Sequence, residues 1–327
     1  MRFAFDEDQR LFADALRKML AEQCTASQVR AVWDDGVGHD PALWARLAEM
    51  GVIGMLLPET DGGLGGSMVD AVLLFRELGR AIVPGPVIES MAIAGPVLAG
   101  SKWAAGIASG ELVATAELDG TGHVPHASVA HVVLTPEGLL DLAGAEIDDA
   151  GGIDGGRRLG IVRGGGLVDH DGRSTADAVD LDAARDRAAV ATAAYLIGAS
   201  EAMIDMAGEY ARQRHQFGKP IGSFQAVKHL LADALLKVEF AKAPTYRAAW
   251  SVATGAADVA RDVSMAKALA NEAAHATSRA AMQVHGAIGY TWEADLQLWM
   301  KKVWALERAY GTTSWHRRRV SSAVLSS

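Results

Sequence analysis

The stretch RQRHQFGKPIGSFQ, Arg212 to Gln225, decides how this chain is read. Two arginines, Arg212 and Arg214, lead into the aromatic–glycine pair Phe217-Gly218. Gly218-Lys219-Pro220 ends the helix before it, because proline lacks the amide that a helix interior needs and glycine favours the left-handed exit. Ser223-Phe224-Gln225 then opens a new amphipathic helix. Arginine forks match phosphate oxygens, and a break between two long helices leaves helix ends near that charge. The segment reads either as a holder of a phosphorylated ligand between helices or as a solvated helix–helix turn.

Outward from this break the pattern is helical. Ala191, Ala194, Gly198, Met203 and Ala207 line one helix with small residues, which permits close packing. Phe224, Val227, Leu231, Ala234, Leu235 and Val238 line the next. An alanine-rich run from Ala260 to Met282 makes a third, and Leu296 to Arg308 begins a fourth. Together they predict a C-terminal four-helix bundle over 186–327. Residues 1–110 are also helical. Phe12, Leu16 and Leu20 follow an acidic start at Asp6-Glu7-Asp8, and Pro41 opens a helix capped by Asp40. Val69 to Leu78 is a further helix, preceded by a glycine loop at 62–66. That loop has neither the lysine of a phosphate loop nor the spacing of a dinucleotide fingerprint, and reads as a turn. Residues 111–185 change character. Val113–Ala116, Val129–Leu134, Leu139-Leu140, Leu159–Val162 and Ala178–Leu181 read as short strands between Gly, Asp, His and Pro. The expected fold is mainly α with a small β domain, in α–β–α order.

A length of 327 residues allows two or three domains with their own cores. The net charge of −9 speaks against general nucleic-acid or anionic-membrane binding. No run of about eighteen uncharged apolar residues predicts a membrane span, and the charged start MRFAFDEDQR does not resemble a secretory signal. One cysteine, Cys24, fits a reducing cytoplasm. Ten histidines without HxxxH or HExxH spacing suggest no metal site.

With QVHGAIGYTWE (Gln283 to Glu293) downstream and PETDGGLGG around Pro58-Glu59 upstream, RQRHQFGKPIGSFQ resembles the acyl-CoA dehydrogenase family. The three motifs stand in that family's order. The resemblance implies a flavoenzyme that takes a proton from the carbon next to an acyl-CoA thioester and passes a hydride from the following carbon to FAD. By motif, it assigns FAD contacts to Arg214, Gln216, Phe217, Phe224, Gln225, Gln283, His285, Gly286 and Ala287, reaching flavin across a subunit interface. It also implies an electron-transfer flavoprotein or similar acceptor. Trp292 and Glu293 are expected to fix the turn into the last helices.

Departures from the family pattern cluster between about 115 and 187 and near the end. The family's Thr-Glu-Pro stretch is reduced to Thr115-Ala116-Glu117, and no Trp-Ile-Thr strand follows it. The usual base, a glutamate just before Gly-Thr, is replaced by Tyr310 before Gly311-Thr312. The alternative base position at the start of the first bundle helix falls on Ala188. A tyrosine with its ordinary pKa near 10 is a poor base at neutral pH. Glu307 and Asp186 are the nearest carboxylates. The chain thus resembles the short subunits of actinobacterial α2β2 heterotetramers that degrade steroids. In that reading it lends residues to flavin while a homologous partner supplies the glutamate, and the substrates are acyl-CoA thioesters, ring-bearing ones included. Two alternatives stay open: a self-sufficient homo-oligomer with Asp186 or Glu307 as relocated base, and a non-catalytic structural subunit.

Overall fold

In the computed structural model, which describes residues 4–168 and 180–325, each of the first four α-helices starts at a side chain that caps it. Before α1 (Glu7–Gln23), Asp6 accepts the Gln9 amide while the Gln9 side chain returns to the Asp6 amide. Thr25 and Gln28 repeat this box at α2 (Ala26–Asp34). Asp40 accepts the amides of Ala42 and Leu43 at α3 (Pro41–Glu49), as the Asp-Pro pair predicts. Ser67 and Asp70 close the start of α4 (Met68–Arg80). Each such cap is worth about 1 kcal/mol.

The next helical stretch is not a plain helix. Glu89–Ala94 is π-helical and runs into the single turn α5 (Gly95–Leu98). Pro96 has no amide to offer the carbonyl of Ala92, and Arg187 Nε donates to that carbonyl instead at 2.9 Å. The widened turn holds Glu89 inside the protein, only 2% exposed. Helix α6 (Ala104–Ser109) completes the N-terminal part.

Two small sheets follow. One has the order β1-β3-β4-β7, from Ala114–Ala116, Val132–Thr135, Gly138–Asp141 and Gly166–Val168. Its β1 and β3 run parallel and its other pairs antiparallel. The second sheet is β2-β6-β5, from Val124–Pro125, Leu159–Arg163 and Glu146–Gly151. The strand expected at Ala178–Leu181 is corrected where it can be described. Asp180 caps a helix by accepting the Ala183 amide, and Leu181 is that helix's first residue; residues 178 and 179 lie outside the described residues.

The C-terminal part contains α7 (Leu181–Gln213), α8 (Gln225–Thr254), α9 (Val259–His285), α10 (Leu296–Leu306) and α11 (Thr313–Leu325). Helix α9 packs on α7, α8 and α11, and α4 crosses α7. That crossing is backbone to backbone. A Cβ on Gly198 would lie 1.8 Å from the Arg76 carbonyl oxygen, and one on Gly79 would lie 2.0 Å from that of Tyr195. Beside it, Arg76 grips Glu201 through two 2.8 Å hydrogen bonds, so the N- and C-terminal helices dock as one body. One expected core position is corrected. Leu235 is 42% exposed, with Leu236 and Phe240 open beside it, while Ala234, Val238 and Ala241 form the buried line of α8. The fourth helical stretch breaks at Tyr310, whose φ is +54°, before α11 begins. Among the described residues no helix is long and apolar enough to cross a membrane, and no group of three or more His, Cys, Asp or Glu could hold a metal ion.

Candidate functional site

Two of the three family-motif stretches, around Arg214 and around His285, meet at one end of the bundle. Between α7 and α8 the chain makes a two-residue hairpin, with His215 opposite Pro220 and Gln216 opposite Lys219. Its turn is Phe217 and Gly218, both at positive φ (+53° and +78°). This left-handed state costs a non-glycine residue about 1–2 kcal/mol, and here it is spent on displaying a phenylalanine that is 91% exposed. Phe224 meets Phe217 edge-on at 6.2 Å, and the Lys219 ammonium lies 4.5 Å from the Phe224 ring. The two arginines divide their work. Arg212 is held by Glu209 (Nε to Oε2, 3.1 Å), whereas no ion pair or side-chain hydrogen bond engages the exposed Arg214 among the described residues.

The second motif joins the first through stacked rings. Tyr210, on the last turn of α7, lies parallel to His285 at the end of α9, with centroids 4.5 Å apart. His285 Nδ1 is bound to the Ala281 carbonyl oxygen at 2.8 Å. Gln283, Gly286 and Ala287 are exposed beside it, as are Gln216 and Gln225 beside the hairpin. These residues form an open lip, basic at Arg214 and aromatic at Phe217, rather than a cavity. Trp292 holds the turn that follows: its carbonyl accepts from Gln297 Nε2 at 3.2 Å.

The carboxylate candidates are elsewhere. Asp186 is buried and paired through both oxygens with Arg319 of α11. Glu307 faces His275 at 3.4 Å, and burial raises its pKa. Ala188 is fully buried in α7. Of the residues at or near the expected base positions, Tyr310 lines the cleft between the sheets and α10, a space of about 490 Å³, while Glu307, Asp186 and Ala188 do not.

Sequence reasoning missed Glu89, Arg157, Asp154 and Lys302, which surround Tyr310. Tyr310 donates its hydroxyl to Glu89 Oε1 at 2.7 Å, and Arg157 Nη2 donates to the same oxygen at 3.0 Å. Burial, then the Glu89 charge, push the Tyr310 pKa well above its ordinary range. Burial works against the Arg157 charge, but Glu89, Tyr310 and Asp154 together outweigh it and the pKa rises. Both effects keep the phenol protonated and the guanidinium charged. Next to them, Lys302 binds Asp154 at 2.8 Å and the Gly156 carbonyl at 3.1 Å, tying the loop 154–157 to α10. At the other end of the cleft Glu117 is buried among the amides of its own loop. The one sequence signal for Glu89 was Pro96, placed where a regular helix could not continue.

Comparison with known proteins matches both helical parts. Residues 6–111 fit the family model of the acyl-CoA dehydrogenase N-terminal domain, and residues 183–325 that of the acyl-CoA dehydrogenase C-terminal domain. The chain is 31% identical over 327 residues to the acyl-CoA dehydrogenase IpdE2 of Mycolicibacterium smegmatis, covering 97% of this chain and 99% of that one. It is 30% identical over 303 residues to IpdE2 of Mycobacterium tuberculosis. Among solved structures, the ChsE4-ChsE5 complex from Mycobacterium tuberculosis superposes with a TM-score of 0.88 at 24% identity, over the whole of both chains. A Tcur3481-Tcur3483 steroid ACAD variant gives 0.84 at 22% identity, over 98% of each.

Proposed function

Because this chain belongs to the acyl-CoA dehydrogenase family of FAD-dependent oxidoreductases, we propose that it is the flavin-lending subunit of a heteromeric acyl-CoA dehydrogenase. A homologous partner holds most of the FAD and carries the glutamate base. When bound, FAD would supply the acceptor for the hydride that leaves the β-carbon of the thioester. This chain's part is binding and orientation. Arg214 neutralises phosphate charge, Phe217 and Phe224 pack against the cofactor, and Gln216, Gln225, Gln283 and His285 offer polar groups beside the Gly286-Ala287 turn. The domain division that goes with this reading is 1–110, 111–185 and 186–327, the last being the flavin-lending and oligomerising part.

The observation that carries the proposal is Tyr310. Where the resemblance puts the base stands a phenol, held protonated and hydrogen-bonded to a buried carboxylate. The exposed Arg214, without a side-chain partner among the described residues, supports the complementary half: a guanidinium displayed next to a strained aromatic suits a ligand that arrives from outside the chain. The solved ChsE4-ChsE5 neighbour is a complex of two different chains, which supports a homologous partner. The steroid ACAD neighbour supports bulky, ring-bearing CoA thioesters as the substrate class. Electrons would leave to an electron-transfer flavoprotein or a similar acceptor.

The test is a visible spectrum of the purified chain, alone and co-expressed with a homologous acyl-CoA dehydrogenase. Flavin absorbance near about 450 nm is expected only in the complex, and Arg214→Ala should remove it. Stoichiometric flavin in the lone chain, or an Arg214→Ala complex that keeps its flavin, would overturn the proposal.

A further inference from the structure

A second space, of about 540 Å³, lies where the N-terminal segment and the start of α4 meet α8 and α9. It shares no lining residue with the cleft beside Tyr310. On α8 it begins at Ala243, about 27 Å along the helix from Gln225 at the lip. Its walls are apolar and aromatic. Phe5 stands edge-on to Tyr246, with ring centroids 4.9 Å apart. One turn further along α8, the Arg247 guanidinium lies 4.4 Å from the Trp250 ring centroid. Met265 lines the α9 side. Pro244 also lines the space, inside α8, where a proline removes one helix hydrogen bond. Mainly apolar walls, a few polar groups and this volume are the makings of a small-molecule site.

The polar groups on the wall decide what such a molecule must carry. Asp262 has both oxygens engaged. Its Oδ2 accepts Arg247 Nε at 2.9 Å and the Ser251 hydroxyl at 2.6 Å, and its Oδ1 accepts Arg261 Nη2 at 3.0 Å. Burial works against the Asp262 charge, but Ser251, Arg247 and Arg261 together outweigh it and the pKa falls. Arg247 spends only its Nε on this carboxylate. Among the described residues no hydrogen bond engages its terminal nitrogens, the Tyr246 hydroxyl or the Trp250 indole N–H. Burial raises the Tyr246 pKa, so the phenol keeps its proton. The wall therefore offers an arginine fork, an indole N–H and a phenol, with no unengaged carboxylate. That set suits an anion carried on an apolar ring system. A cationic ligand would meet the Arg247 charge instead.

We infer that this space is a second ligand site, separate from the flavin lip, which takes a ring-bearing apolar carboxylate. The rings lie against Phe5, Tyr246 and Trp250, and the carboxylate meets the terminal nitrogens of Arg247. Phe5 precedes α1, whereas Trp250 and Met265 belong to the bundle. An occupant thus ties the first residues of the chain to α8 and α9. None of these residues is among those assigned to FAD, so the inference goes beyond the reading under Proposed function and fails independently of it.

The experiment titrates pyrene-1-carboxylate and its uncharged amide, pyrene-1-carboxamide, into the full-length chain and follows the pyrene fluorescence. The carboxylate should bind at a single site with a Kd of about 10–100 μM. The amide should bind about ten-fold more weakly. Arg247→Met should bring the carboxylate down to the affinity of the amide and leave the amide unchanged. Met265 is 41% exposed, so Met265→Trp fills the space from a partly open position and should abolish binding of both probes. Equal affinity of the two probes for the wild type overturns the proposal, whether or not any variant folds. Carboxylate binding that survives Met265→Trp also overturns it, since the probe would then sit elsewhere. Absence of saturable binding up to about 100 μM does the same.

Discussion

Replacing Glu89 by glutamine tests the junction around Tyr310, the residue at the expected base position. The Glu89 side chain is 2% exposed and that of Arg157 11%. Removing the carboxylate charge leaves a buried guanidinium without its partner, because the neighbouring Asp154 is already held by Lys302 at 2.8 Å. Breaking a buried pair on one side only costs about 3–5 kcal/mol. For a chain of 327 residues the unfolding entropy makes this a fall in Tm of roughly 4–7 °C. The same figure should appear in the urea midpoint at an unchanged slope. Tyr310→Phe, which removes one hydrogen bond to a charged group, should cost less, about 1.5–3 kcal/mol. The decisive measurement is the cycle with Arg157→Met. In that background no cation is stranded, so Glu89→Gln should cost about 1.5 kcal/mol or less. If the two single changes add to within about 0.5 kcal/mol, Glu89 and Arg157 are not coupled and the closed junction is refuted.

Other positions carry equally specific expectations. Gly198→Ala drives a methyl group to within 1.8 Å of the Arg76 carbonyl, so it should cost about 3 kcal/mol or more, read as a lost or lowered urea transition; a neutral effect would contradict the α4–α7 crossing. Phe217→Gly relieves a left-handed phenylalanine at φ +53° and should leave chain stability within about 1 kcal/mol of wild type, while flavin retention by the assembled complex falls. Burial holds the His316 pKa down at about 3, against 6.5 when free. Its stabilising contribution is therefore complete above pH 6.5 and is lost as pH falls from there toward 3. His316→Gln should flatten the acid side of the stability curve, by about 2 kcal/mol relative to wild type at about pH 5; parallel curves would argue against a neutral imidazole donating to the Tyr310 carbonyl.

The helices were legible because their signals are local. Asp40-Pro41 is at once a cap and a first-turn proline, and the small-residue face of α7 is the face that meets α4. The family motifs were legible as strings, and the structure brings the two C-terminal ones to one end of the bundle through Tyr210 and His285. What stayed hidden depends on distant partners. Strand β5 reads EIDDAG and has little strand propensity of its own; it forms against β6, with Arg163 bound to Asp148 at 2.6 Å across the pair. The exposed Leu235 followed the helical period faithfully, but periodicity does not say whether a face meets this chain or another one. Glu89 sat inside what reads as an apolar helix, 221 residues from the tyrosine it binds. Asp186 and Glu307 looked like candidates from their place in the sequence alone. Their engagement by Arg319 and His275 is a property of the packed bundle.

The junction of Tyr310, Glu89 and Arg157 bears on why a tyrosine should stand where the resemblance puts the family's base. Substrate and flavin must enter an active cleft, so a working subunit cannot keep that space spanned by mutually satisfied groups. Here Glu89 Oε1 takes both a phenol and a guanidinium donor, while the buried Arg157 Nε has no hydrogen-bond partner among the described residues. Tyr310 comes from the break before α11, Glu89 from the π-helical turn and Arg157 from the loop before β6. Their shared oxygen ties all three parts of the chain together at one point. A buried ion pair of this kind adds little net stability against a well-packed apolar alternative. What it does supply is geometry, because each partner has a single arrangement in which the others are not stranded. The α7–α8 hairpin and the end of α9, which present Arg214 and His285, belong to the same docked body. On this argument the junction of Glu89, Tyr310 and Arg157 also fixes the frame that carries the lip around Arg214. Tyr310→Phe should then weaken flavin binding by the assembled complex although Tyr310 never touches that flavin. Tight binding unchanged in that variant, with the chain's stability lowered, would separate the frame from the lip and defeat the argument.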